Sequence, residues 1–291
     1  AKAPYDLYHA DYKPGVKLYV KRVYITDDEK ELLPTYLRFV RGVIDREDLP
    51  LNVSREILQQ NKIMSNIRTA SIKKILGELK KISEQNPELY AKIIDQFNRP
   101  LKEGLYGDYA NREALLALVR FKSTAVDGYT SLAEYKSRMK EDQKTIYYLA
   151  GGNEETIKRS PLLEGYRKKG LEVLLMTDDI DDIVVPSIGT FEELTLKAIN
   201  KSGAVDELDK EESKKKAKEG KSVLKKIKKA LDKRVKDVVA STRLVDAPAV
   251  VVVDDNDPSV QMQQMLKAMG QTEMPETTPI LEVNLESPIV K

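Results

Sequence analysis

Only a few side chains in this 291-residue sequence can do chemistry, because it contains no cysteine and a single histidine, His9. That removes disulfides, thiolate metal sites and cysteine nucleophiles, and with them any His-based triad or multi-His metal centre. What remains begins with Leu49-Pro50-Leu51-Asn52-Val53-Ser54-Arg55-Glu56-Ile57-Leu58-Gln59-Gln60-Asn61. Ser54 is a good N-cap, which sets Arg55 and Gln59 one turn apart at the start of a helix. The planar fork of an arginine there suits a terminal phosphate. On spacing alone, a surface ion pair with Glu56 or a neighbouring acid is the preferred reading. Gly220-Lys221-Ser222 resembles the end of a phosphate-binding loop. That loop needs a glycine where this chain has Lys215 and a buried strand before it, where the chain is Lys-rich, so it is not expected here. Asn52-Val53-Ser54 matches a glycosylation triplet, a coincidence in the absence of a secretion signal.

Two further groups suit binding. Met262, Met265, Leu266 and Met269 fall at i, i+3, i+4 and i+7, an adaptable apolar stripe suited to varied partners. Core packing or a subunit contact would give the same pattern. The basic stretch Lys214–Lys236 could release counterions from a nucleic acid. Its apolar stripe, its interleaved acids and its lack of aromatic residues favour the solvated face of an amphipathic helix.

The elements that would position these groups follow from periodicity. Val16–Val20 alternates and runs into Val23-Tyr24-Ile25, which reads as a strand. Nothing upstream could pair with it, so the chain is expected to begin inside a domain. Leu32–Ile44 carries helical spacing interrupted by Pro34. A long helix is expected from Arg55 to Ile82, with Met64, Ile67, Ser71, Ile75, Leu79 and Ile82 as its stripe. Helices follow at Pro87–Phe97 and Asn111–Phe121, with Gly104 and Gly107 marking the break. Strands at 146–149 and 171–176 flank a helix over 154–169, a βαβ unit with a parallel pair. The acidic Asp178–Asp182 loop ends the second strand. A polar stretch over 201–220 reads as a domain boundary. Beyond it come a helix around Val223–Val235, a strand at 249–253, a helix from Pro258 to about Gly270, and a strand at 281–285.

Composition bounds the rest. With 49 Lys+Arg against 47 Asp+Glu, no global field draws nucleic acid or membrane to the molecule. No apolar run approaches a membrane span and no signal peptide opens the chain, so a soluble cytoplasmic protein is expected.

Several stretches resemble the heat shock protein 90 family, bacterial type: Leu18–Ile25, Leu33–Met64, Ser137–Leu149, Ser160–Asp182 and Arg234–Ala249. Together they cover nearly the whole chain in order, and Leu33–Met64 is the most specific. The resemblance implies an α/β plus α+β protein. Residues 1–200 would be middle domain: 1–60 the end of a larger α/β unit, 61–135 a helical bundle, and 136–200 a smaller α/β unit. Residues 201–222 would be a linker, and 223–291 a C-terminal domain that stops before the dimerisation helices. The family is an ATP-driven homodimeric chaperone that binds partly folded clients. Arg55 would reach the γ-phosphate of ATP, with Mg2+, in an N-terminal domain outside this chain, and Gln59 would assist. Met262, Met265, Leu266 and Met269 would contact clients. The Ile180–Ile183 loop aligns with another client-facing region and puts Ile183 and Val184 there; the family commonly has an aromatic in place of Ile183. The chain alone is then expected neither to hydrolyse ATP nor to form the usual dimer. Its partners would be unfolded proteins, with no nucleic acid and no membrane. Two rivals stay open: a basic nucleic-acid module and a self-sufficient NTPase.

Overall fold

The computed structural model describes residues 2–9, 12, 15–26, 32–47, 62–204, 210–258, 262–263, 267 and 277–290. They fall into two units, Ala1–Arg120 and Phe121–Lys291.

In the first unit, β1 (Gly15–Val20) buries Val16, Leu18 and Val20 on one face, as its alternation requires. It turns through Lys21 and Arg22, both at positive φ (49° and 67°), into antiparallel β2 (Val23–Thr26). That pair of left-handed residues matches the twist of a two-residue hairpin. β1 pairs on its other side with parallel β3 (Arg41–Arg46), so the partner of the first strand comes from downstream. The helical reading of 32–44 is corrected here. Pro34 has no N–H to give, only a short 3-10 turn at Thr35–Leu37 forms, and the β-branched Val43 and Ile44 continue as strand.

Three helices complete the unit: α1 (Lys62–Gln85), α2 (Pro87–Gly107) and α3 (Arg112–Leu118). The buried stripe of α1 is Met64, Ile67, Ile72, Leu76 and Leu79, so Ser71 and Ile75 flank it rather than form it. Residues 55–61 of the expected helix lie outside the described residues. Asn86 caps α2 by accepting from the Leu89 N–H at 3.0 Å, with Pro87 in the first turn. The expected break at Gly104 is absent, and α2 runs on to Gly107. Gly104 is instead a contact point: a Cβ there would lie 2.9 Å from the Tyr36 ring and from Leu115.

In the second unit, a five-stranded sheet runs β4 (Lys122–Ser123), β6 (Val173–Met176), β5 (Thr145–Ala150), β8 (Leu194–Ala198), β7 (Thr190–Phe191). β5 is parallel to both neighbours, as the βαβ reading requires for β5 and β6. Pro161 divides the crossover helix into α5 (Glu154–Lys158), a 3-10 turn and α6 (Glu164–Lys168). α4 (Leu132–Arg138), with a Ser131/Glu134 capping box, precedes β5, and α7 (Asp181–Ile188) follows β6. A second sheet has order β10 (Ala249–Val252), β11 (Ile280–Val283), β9 (Asp237–Ala240).

The second sheet is covered on both faces. Val238, Ala240 and Val283 pack with Leu224. Val252 and Ile280 join Tyr147, Leu149, Val173 and Leu175 of the first sheet in one core. The two sheets on either side of the expected linker over 201–222 therefore share one core, and the second sheet has a further one with Leu224. The described residues of that stretch include α8 (Lys210–Glu219) and the start of α9 (Lys221–Leu231).

Candidate functional site

The second unit holds a cleft of about 580 Å³ in which two of the expected binding segments meet. One wall is α7, entered from the acidic loop; another is β8 and the chain beyond it; the third is Asp255–Pro258 leading to Met262.

α7 starts where it does for electrostatic and local reasons. Asp181 and Asp182 sit in its first turn, favourably placed for the helix dipole. Asp181 is fully buried and accepts from the Asp178 N–H at 3.1 Å, so it shapes the turn rather than facing a ligand. Asp182 and Pro186 line the cleft. Ile183 is half-buried, whereas Val184 is 1% exposed and turned inward, so its side chain is not part of the accessible surface. Tyr148 on β5 forms part of the lining; burial, then the neighbouring Asp182 charge, pushes its phenol up to about 12.

Lys201 holds the third wall. Its ammonium donates to the Asp254 carbonyl at 3.2 Å and also to the Asp257 carbonyl. Burial draws its pKa below the usual lysine value against the opposing pull of Asp255, Asp257 and Asp254. Lys236 pairs with Asp254 at 2.8 Å, and that ammonium holds the Asp254 carboxyl below its ordinary value. The Gly203 N–H donates to Asp255 at 2.9 Å. Asn200 also lines the cleft, and its buried Oδ1 accepts no hydrogen bond from the described residues. The cleft thus offers Tyr148, Leu196, Pro186 and Met262 as apolar surface and Asp182, Asp255 and Asp257 as acidic groups. Such a mixture suits a polypeptide segment better than a small rigid ligand.

Behind the cleft lies a buried frame that periodicity and motifs do not reveal. Arg243 and Glu282 form an ion pair with no exposed surface on either side chain. The Arg243 Nε donates to Glu282 at 2.8 Å, and its terminal nitrogens reach the Ile199 and Lys201 carbonyls. This ties β11 to the chain that carries Asn200 and Lys201. Glu164 accepts from the Val245, Asp246 and Ala247 N–H groups at 2.6, 3.0 and 3.4 Å. Beside it, a Cβ on Gly165 would come 2.6 Å from Arg243 Cα. Glu164 and its partners lie in two stretches that carry the family resemblance, Ser160–Asp182 and Arg234–Ala249. The only signal in the sequence is charged residues amid apolar ones, which does not name a partner.

Of the other expected site residues, Arg55, Gln59, Met265, Leu266 and Met269 lie outside the described residues. The phosphate-loop reading of Gly220-Lys221-Ser222 fails structurally. A helix, α8, precedes it instead of a buried strand, and a Cβ on Gly220 would collide with Leu285. Gly220 is there to let Leu285 approach. The basic stretch spans the end of α8, then α9 and a 3-10 turn, and α9 is amphipathic, with Leu224 buried and Lys225 and Lys226 in solvent. Among the described residues, no group of three or more acidic or histidine side chains could hold a metal. No helix among them is long and apolar enough to cross a membrane.

The sequence matches the Hsp90 protein family over residues 1–291. It is 59% identical to the "Chaperone protein HtpG" of Treponema denticola, across 100% of this chain and 47% of that protein. Proteins of the same name from Wolinella succinogenes and Borreliella burgdorferi are 52% and 50% identical, again across 100% of this chain and 47% of theirs. The chain spans about half the length of the curated relatives it matches.

Proposed function

The chain belongs to the Hsp90 protein family, and from that premise we propose that it is part of a molecular chaperone whose second unit holds partly folded client proteins in the cleft beside Met262. The observation that carries this reading is the meeting of Met262 with Asp182 and Pro186 around one cleft of about 580 Å³. A thioether and a half-open apolar wall adapt to many side chains, which is what a binder of unrelated chains needs. The family resemblance adds Ile183, Met265, Leu266 and Met269 as further client contacts.

In the longer protein, Arg55 and Gln59 act on the γ-phosphate of ATP and Mg2+ held by another domain. The arginine supplies positive charge to the transferring phosphoryl group. ATP hydrolysis and homodimer formation belong to the longer protein, and this chain contributes the middle-domain half of that ATPase.

Light scattering from a thermally aggregating client tests the holding role. The chain suppresses aggregation, and the Met262→Ser/Met265→Ser/Met269→Ser variant does not, while circular dichroism shows both folded. Equal suppression by the folded variant would remove the methionine surface as the client site.

A further inference from the structure

The chain has no cysteine and seven methionines, so any sulfur chemistry it performs falls to thioethers. Met262, Met265, Met269 and Met274 crowd into one short stretch of sequence. Of the described methionines, Met64 and Met176 are buried, and Met139 is half-buried at the end of α4. Met262 is half-buried too, but it lines the open cleft with Tyr148, Pro186 and Leu196. A dissolved oxidant reaches a thioether there sooner than one sealed in a core. The surroundings of Met262 decide what oxidation would do. A sulfoxide oxygen carries partial negative charge and accepts hydrogen bonds. Asp182, Asp255 and Asp257 line the same cleft and oppose that charge. Its lysines are engaged: the Lys201 ammonium donates to the Asp254 and Asp257 carbonyls, and that of Lys197 to the Gly203 carbonyl at 3.3 Å. A sulfoxide at Met262 is therefore best served by water, which an apolar client segment laid over it would displace.

We propose that Met262 is an oxidation-sensitive gate of the cleft: an oxidant of the peroxide class converts its thioether to the sulfoxide and weakens client binding, and reduction of the sulfoxide restores it. The inference rests on the reading of the cleft as a client site. In the step, a sulfur lone pair attacks the nearer peroxide oxygen. The S–O bond forms as the O–O bond breaks, and the leaving hydroxide takes the proton from the transferred oxygen. Sulfur is oxidised by two electrons and the peroxide is reduced to water. A flexible apolar side chain thereby becomes a polar one on the wall where apolar client groups would rest. Covering that polar group without a partner lowers affinity by about tenfold. Peroxide finds no thiol in this chain, so disulfide formation does not mask an effect at methionine.

The test uses fluorescently labelled, reduced and carboxymethylated α-lactalbumin, a permanently unfolded protein, with binding read by anisotropy. The chain is treated with hydrogen peroxide, catalase removes the excess, and only then is the probe added. Peptide mass spectrometry measures sulfoxide at each methionine, and circular dichroism shows the fold intact. Met262 is oxidised ahead of Met64 and Met176, and affinity for the probe falls about tenfold. Methionine sulfoxide reductases of both stereospecificities restore it. The Met262→Leu variant, which keeps the apolar volume, binds as the parent does and holds its affinity after peroxide. Met139→Leu loses affinity as the parent does. An untreated chain that binds no probe removes the reading of the cleft, and this inference with it. Binding that survives full oxidation of Met262 overturns the inference alone and leaves the cleft standing. So does an equal loss in the parent and Met262→Leu, slower oxidation at Met262 than at the buried methionines, or a loss that the reductases do not reverse.

Discussion

At the residue scale, the second unit rests on a few polar groups in apolar surroundings. Arg243 and Glu282 are both fully buried, and each would be an uncompensated charge without the other. Removing one partner of such a pair costs roughly 3–5 kcal/mol, most of it the penalty of the charge left behind. Glu282→Met is therefore expected to lower the denaturation midpoint of the second unit sharply. Replacing both partners with apolar residues should recover much of that loss. Urea titration followed by hydrogen exchange within 121–291 measures both; a single variant as stable as the parent would contradict this reading of the pair. The partnership is not legible in the sequence. An arginine and a glutamate occur there, but only the fold shows that positions 39 residues apart in the chain come together out of water.

At the element scale, legibility tracks the strength of local signals. The alternation of Val16, Leu18 and Val20 reads correctly because it coincides with burial on one face, and the apolar runs of β5 and β6 because those strands are buried on both. Residues 32–44 mislead because their apolar spacing also fits a helix, while the pairing of β3 with β1 is a non-local fact. β9 goes unread because Asp237–Ala240 carries only two β-branched residues, directly after an expected helix. Glycines, too, look alike in sequence and differ in place. Gly165 faces Arg243 with no room for a Cβ, whereas Gly77 in α1 has nothing within 4 Å. Gly165→Ala is expected to cost about 1–3 kcal/mol through overpacking. Gly77→Ala should stabilise by roughly 0.5–1 kcal/mol through helix propensity. Thermal melts of the two variants shifting in the same direction would sink that distinction.

At the scale of the whole molecule, family resemblance proposes a client role for the Met262 stripe, whereas periodicity alone leaves it open among core, subunit and client roles. What the fold adds is convergence: α7, β8 and the segment after β10 build one cleft, held from behind by Lys201 and by the Arg243–Glu282 pair. The stretch over 201–222 is polar and lysine-rich, and the helix that opens at its end, α9, seals a sheet through Leu224. The most direct test of the client cleft is site-specific photo-cross-linking with a non-natural residue at Met262 or at Pro186, on different walls, using a chemically unfolded client. Client adducts are expected from both positions, few from the same residue placed at exposed Lys168, and none with the folded client. Adducts no more frequent at Met262 and Pro186 than at Lys168 would contradict a client-holding role for the cleft.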